Sequence, residues 1–201
     1  MRITQIKQQL KREDRYSIFV DGKYRFSLSE KEVADLNLHE DQEVAPGELE
    51  SLLDQAKYSK AYDRALRYIE IRPRSEYEMR AYLKRKDYET ELIDRVLERL
   101  CKLELLNDRD FAKRWVDYRL TTRPSSKRRL FSELLQKRID REIISEVLGS
   151  IEPETELAQV RELAARKGKL SQYQDRQKLM AYLSRQGFSY DLIKKALAAE
   201  E

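Results

Sequence analysis

Cysteine is almost missing from this sequence of 201 residues: Cys101 is the only one, so no internal disulfide framework can hold the chain. Glycine and proline are scarce too, at 5 and 4, while charged residues make up 39%. That balance argues against a turn-rich β fold and points to long, solvated helices. No apolar run approaches the roughly 20 residues that span a bilayer, so no membrane partner is expected. The opening residues, MRITQIKQQLKRED, lack the apolar stretch of a secretory signal. There is one histidine, and neither G-x-x-x-x-G-K-[ST] nor G-x-G-x-x-G occurs. The expectation is a soluble, cytoplasmic, monomeric protein with no cofactor and no enzymatic activity.

The net charge of +4 matters less than its placement. Residues 1–64 hold 11 basic and 13 acidic side chains, and residues 65–108 hold 10 of each. Residues 109–141 hold 11 and 4, and residues 142–201 hold 9 and 10. The positive excess therefore sits in one stretch, which suits a polyanion or an acidic protein surface as partner.

The N-terminal part reads differently from the rest. RYSIFVDGKYRFSL is two β-rich runs around Asp21-Gly22, a pair suited to a two-residue type I′ turn. A regular hairpin on that turn sets Phe19 opposite Tyr24, with Phe26 on the same face. ITQIKQQL is a candidate third strand, and three strands with one apolar face need a cover. After Pro46-Gly47 the pattern turns helical. ELESLLDQAKYSKAYDRALRYIEI spaces its apolar residues by three and four, with a candidate break near Ser59. Ile71-Arg72-Pro73 ends that helix, because the residue before proline avoids the α region.

A phrase then recurs. Shifted by 51 residues, Arg72-Pro73 falls on Arg123-Pro124, Leu83 on Leu134, Lys86 on Lys137 and Tyr88 on Ile139. Shifted by 100, Ala81-Tyr82-Leu83 meets Ala181-Tyr182-Leu183, and Tyr88 meets Phe188. Such self-similarity marks an internal repeat. Each copy holds three helical segments: the long helix, 75–86 and 91–103; then 110–120, 126–137 and 142–148; then 156–167, 172–186 and 190–199. The predicted fold class is mainly α: tandem three-helix modules in an elongated curved array, with a small N-terminal β region. The divisions are 1–47, 48–107, 108–152 and 153–201.

The caps agree with this plan. Ser75-Glu76-Tyr77-Glu78 and Ser171-Gln172-Tyr173-Gln174 have the form of capping boxes. Gly168 and Gly187 sit where helices should stop in a left-handed residue. The short turn after each second helix fits either a helix-turn-helix or plain antiparallel packing.

Chemistry-bearing residues are few. His39, in the polar stretch NLHEDQE, reads as a surface residue. Cys101 lies with Leu100 and Leu103 on an apolar stripe and reads as a buried structural thiol. The carboxylates lie among Lys and Arg at helix-pair spacing, although a carboxylate-only metal site stays open. The basic residues carry more. Arg123, Lys127, Arg128, Arg129, Lys137 and Arg138 surround one helix with a single acid, Glu133, among them. Arg72, Arg74, Arg80, Lys84 and Arg85, with Lys86, hold similar places in the first copy, among more acids. They are the candidate contacts to DNA or a protein partner, since phosphate neutralisation needs clusters and no fixed motif. Tyr77, Tyr82, Tyr88, Trp115, Tyr118 and Phe131 interleave with them, either to stack on single-stranded bases or to fill helix contacts.

Two stretches together carry a resemblance. ALRYIEIRPRSEYEMRAYLKRKDYETELIDRVLERL and LELLNDRDFAKRWVDYRLTTRPSSKRRLFSELLQKRIDREIISEVL resemble the RecX family, bacterial regulators of the RecA recombinase. The marks are RPRSE, L-x-x-K-x-[YFI], LLND-x-x-FA-x-x-WV and the second RP-x-x-KRRL. The likeness is strong over about residues 60–150 and weaker over 155–199, and the hairpin region is the part least expected to be shared. One departure stands out. The family places Gly after the Lys that ends each second helix, whereas Asp87 and Arg138 stand there and only Gly187 keeps it. The resemblance implies a non-enzymatic modulator of tandem three-helix repeats. Such a protein would lodge in the groove of the RecA–DNA filament, inhibit ATP hydrolysis and strand exchange, and so restrain recombination and the DNA-damage response. A direct nucleic-acid binder using Arg123 and Lys127–Arg129, and a helical adaptor for another protein, are the competing readings.

Overall fold

The Asp21-Gly22 turn organises the first elements. Both residues take positive φ, 51° and 76°, as a type I′ turn demands. They join β2 (Arg12–Val20) to β3 (Lys23–Ser29), and β1 (Ile3–Gln9) completes an antiparallel sheet of order β1-β2-β3. The structure is a computed structural model describing residues 1–10, 12–169 and 175–198. Among the described residues ten helices accompany these three strands, so the fold is mainly α with a small N-terminal sheet. The chain divides into two compact units, Met1–Arg72 with Arg80–Lys102, and Pro73–Met79 with Leu103–Glu201.

In the first unit Phe19 pairs with Tyr24, their rings edge-on with centroids 6.0 Å apart. Phe26 does not share their face, contrary to strict alternation. The ladder jumps at Arg25, so that Ile18 pairs with Phe26. That one-residue bulge turns Phe26 into the core, 5% exposed, while Tyr24 stays outside at 55%. The cover is α2 (Pro46–Ile71), whose Leu49, Leu52 and Ala56 pack with Ile3, Ile18, Val20, Phe26 and Leu28. A short helix, α1 (Glu30–Asp35), intervenes and is missing from the periodicity reading. Ser29 starts it with a capping box: Glu32 N donates to Ser29 Oγ, and Ser29 N donates to the Glu32 carboxylate.

Helix α2 runs unbroken through Ser59. Its buried hydroxyl donates to Glu32 Oε2 at 2.7 Å, which gives the polar group a partner without bending the helix. Beside it lies Arg15, 2% exposed, ion-paired with Asp63 and donating to Ser27 O at 2.7 Å. A buried guanidinium persists only with such partners, so this one fixes the sheet to α2. Farther along, Arg95 and Arg99 of α4 (Thr90–Lys102) lie over the rings of Tyr58 and Tyr62 at 5.1 and 4.8 Å. Cys101 is half-buried rather than buried, and Leu103 is exposed, because α4 ends at Lys102 and its apolar stripe stops there. His39 is exposed, as expected.

In the second unit α5 (Asp108–Thr122), α6 (Lys127–Gln136) and α7 (Arg141–Gly149) enclose Phe111, Val116, Leu130, Leu134, Ile139 and Ile144. Helices α8 (Pro153–Gly168), α9 (Arg176–Arg185) and α10 (Tyr190–Ala198) enclose Val160, Leu163, Leu183, Phe188 and Ile193. Gly168 is not left-handed. It is the last residue of α8, and the chain leaves through a right-handed cap at Lys169. The expected capping box at Ser171–Gln174 lies outside the described residues. The described α9 is capped by Asp175, which accepts from Gln177 N at 2.8 Å.

The three second helices, α3 (Glu76–Lys84), α6 and α9, end alike. Asp87, Arg138 and Gly187 all take positive φ, 60°, 60° and 94°. Tyr88 N donates to Leu83 O, Ile139 N to Leu134 O and Phe188 N to Leu183 O, while the residue before each closes a tighter bond. This is the Schellman pattern with its apolar contact. The left-handed turn therefore survives without glycine at 87 and 138, at a steric cost of about 1 kcal/mol each.

The starts of α3 and α6 meet the ends of α6 and α9. Ser75 Oγ accepts from Glu78 N at 3.2 Å and donates to Lys137 O at 3.2 Å. Ser126 Oγ accepts from Arg129 N at 3.2 Å and donates to Gln186 O at 2.7 Å. Neighbouring positions repeat as well. Glu76 N donates to Asp108 Oδ1 at 2.8 Å, and Lys127 N to Glu156 Oε1 at 3.0 Å. Glu78 ion-pairs with Lys137 where Arg129 NH1 meets Gln186 Oε1 at 2.9 Å. Arg138 lies over the Tyr77 ring at 5.9 Å, where Gly187 abuts Arg128.

Two outcomes follow for stability. Ser126→Ala leaves the Gln186 carbonyl and the Arg129 amide without that partner and is expected to cost about 1–3 kcal/mol. Gly187→Ala should cost more, since a Cβ there would stand 2.6 Å from Ser126 Oγ in a left-handed backbone. Urea unfolding measures both, and midpoints equal to wild type would contradict the clamp. Burial pushes the Asp108 carboxyl up to about 6, against the hydrogen bond from Glu76 N, from an ordinary value of 3.8. A raised carboxyl favours the protonated fold, so this group's contribution is full below about 3.8 and lost as pH rises through 6. Asp108→Asn should flatten that slope in thermal melts between pH 4 and 7.

Candidate partner-binding face

Helix α6 begins against its own dipole. Lys127, Arg128 and Arg129 fill its first turn, which holds no acid of its own, whereas helix N-termini favour negative charge. Two of the three are engaged. Lys127 Nζ donates to Ile151 O at 2.8 Å, and Arg129 Nε lies 3.3 Å from Glu133 Oε1. Arg128 is exposed and, among the described residues, has no ion-pair partner.

Glu133, the lone acid of the set, is a hub. Trp115 Nε1 donates to it at 3.1 Å and Arg119 Nε at 2.6 Å, with a second Arg119 nitrogen on its other oxygen. Arg123 stands 3.8 Å away. Burial pushes the Glu133 carboxyl up, but the hydrogen bonds from Arg119 and Trp115 outweigh it and hold the group below the usual range. Arg119 was not among the sequence candidates, although its spacing from Arg123 and the presence of only one acid could have drawn attention to it. Lys137 is tied to Glu78 and lies 4.9 Å from the Trp115 ring centre.

The remaining candidates divide. Arg74 is buried, and Arg72 is the exposed C-cap of α2. Arg80 is ion-paired with Asp94 at 2.6 Å. Lys84 and Arg85 are exposed at the end of α3. Within the second unit, Arg128, Arg129 and Ser132 face Ser184, Arg185, Gln186 and Gly187 across an open concavity of about 420 Å³. Arg185 was missed because the third copy carries no local charge excess. The concavity is cationic and hydroxyl-rimmed, and can take an anionic group. No cluster of three or more His, Cys, Asp or Glu among the described residues could hold a metal, and no helix there is long and apolar enough to cross a membrane.

Comparison with known proteins covers the whole fold. Residues 61–100, 107–148 and 154–197 match family models described as the first, second and third three-helix domains of RecX. Residues 1–45 match the regulatory protein RecX N-terminal domain, so the likeness to the family takes in the sheet region as well. The regulatory protein RecX of Listeria monocytogenes serotype 4a (strain HCC23) is 32% identical over 98% of this chain and 74% of its own length. That of Clostridioides difficile (strain 630) is 30% identical over 97% and 93%. A crystal structure of regulatory protein RecX superposes with a TM-score of 0.77 at 27% identity, over 96% of this chain and 98% of the other. The crystal structure of RecX from Lactobacillus salivarius gives 0.65 at 25% identity, over 71% and 95%. The chain belongs to the RecX family of regulatory proteins.

Proposed function

We propose that this protein is a negative regulator of the RecA recombinase, binding the RecA–DNA filament in its helical groove and lowering ATP hydrolysis, strand exchange and recombination. It acts in the cytoplasm as a monomer, through surface contacts and without a catalytic group or cofactor. The observation that carries this reading is the match to RecX domains from the sheet to the third module. The contacts fall to the cationic candidates, with Arg128 and Arg123 on the second module and Lys84 and Arg85 on the first. A second reading, direct DNA binding through the same face, draws on the concavity around Arg128 and Arg185.

Titrating the protein into RecA, single-stranded DNA and ATP should lower hydrolysis and strand exchange. Undiminished rates at excess protein would rule the inhibitor out. Arg128→Glu should leave the unfolding free energy within about 0.5 kcal/mol of wild type, since it breaks no ion pair, yet weaken inhibition about tenfold. Arg129→Glu places a carboxylate beside Glu133 and should cost about 1–3 kcal/mol of stability instead. Full inhibition by the Arg128 variant would remove the second module's basic face from the interface.

A further inference from the structure

The first unit carries a second cationic surface, built differently from the first. Tyr68 of α2 and Tyr82 of α3 stack in parallel, with centroids 3.9 Å apart and planes at 10°. They line a concavity of about 390 Å³ together with Arg64, Arg67, Ile71 and Lys86. Lys86 Nζ lies 5.9 Å from the Tyr82 centroid, and the Arg64 guanidinium lies 5.9 Å from that of Tyr88. Arg67 is exposed and holds the Asp63 carbonyl by its Nε at 3.2 Å. Ile71, at the rim, is 76% exposed. The lining is thus three cations, two stacked rings and one uncovered aliphatic side chain.

We propose that this concavity binds single-stranded nucleic acid without RecA, a base lying against the tyrosine pair and Ile71 while Arg64, Arg67 and Lys86 meet flanking phosphates. Each component has a physical reason. Rings and an exposed aliphatic side chain gain from a flat apolar face, which a nucleobase has and a carboxylate side chain lacks. Cations at the rim suit the repeating charge of a phosphodiester chain. A duplex hides its base faces in its own stack, so an unpaired strand is the better occupant. The choice among bases is loose, because stacking reads no hydrogen-bond edge. This site shares no lining residue with the α6 concavity, and it rests on the part of the functional reading in which the chain meets DNA.

The test uses the full chain, a short fluorescent oligothymidylate and no RecA. Wild type should bind, with affinity falling steeply with salt. Arg67→Glu with Lys86→Glu should weaken binding at least ~10-fold and lower the salt slope by about 2, and the milder Arg67→Gln with Lys86→Gln should do so in part. Lys7→Glu, a charge reversal at an exposed position on β1, should change it less than ~2-fold. An abasic strand of equal length should bind wild type ~5–100-fold more weakly, the worth of one or two stacked bases. Absent binding, normal binding by both double variants, equal affinity for the abasic strand, or equal displacement by polyglutamate would each overturn the site. RecA ATPase measured in parallel separates the two readings. Inhibition by a wild-type protein that does not bind the oligonucleotide overturns only this site, whereas binding without inhibition overturns only the regulator.

Discussion

One hydroxyl joins two modules at each junction. Ser75 and Ser126 each accept from the third amide of their own helix and donate to the carbonyl that closes the following second helix. Only a group that is donor and acceptor at once can do both, which is why a carboxylate or an amide-free cap would not substitute. Both serines are fully buried, so an unmet bond there carries the full desolvation penalty. The proline two residues earlier stops the preceding helix and delivers the serine, and the left-handed turn presents the carbonyl. The Arg-Pro-x-Ser phrase recurs because the joint recurs.

The charges are arranged around that joint. Three cations in the first turn of α6 oppose its dipole, and two carboxylates answer: Glu156 accepts from the Lys127 backbone amide, and Glu133 pairs with Arg129. Between Arg123 and Arg138 the second copy holds a single acid, Glu133, and the hub occupies it. What remains outside the hub is a small set, with Arg128 at its centre, beside a turn where Gly187 alone leaves room for the Arg128 stem.

Much of this was written in the sequence, because it lives in local rules. The Asp-Gly turn, the serine caps and the repeat offset are short-range patterns with steric causes. Where one residue breaks a period, the pattern misleads: the bulge at Arg25 moved Phe26 from one face to the other. Helix α1 is too short to show a period, although Ser29 and Glu32 form a legible capping box. The sequence identified the second copy's bases without showing which were occupied, since Arg119 and Glu133 meet across 14 residues. Likewise Tyr68 and Tyr82 stack across two helices that no spacing rule connects. The departures from glycine at 87 and 138 left the turn unchanged, because hydrogen bonds and the apolar pair fix it more strongly than the residue's own preference opposes it.

The joint also imposes an order in time. The carbonyl that Ser75 needs lies 62 residues later in the chain, and that for Ser126 lies 60 later. At a synthesis rate of about 5–20 residues per second, each capping serine waits roughly 3–12 s for its partner to be made. A module leaving the ribosome is therefore unfinished until its successor has followed, and maturation of the tandem modules trails translation by one full repeat.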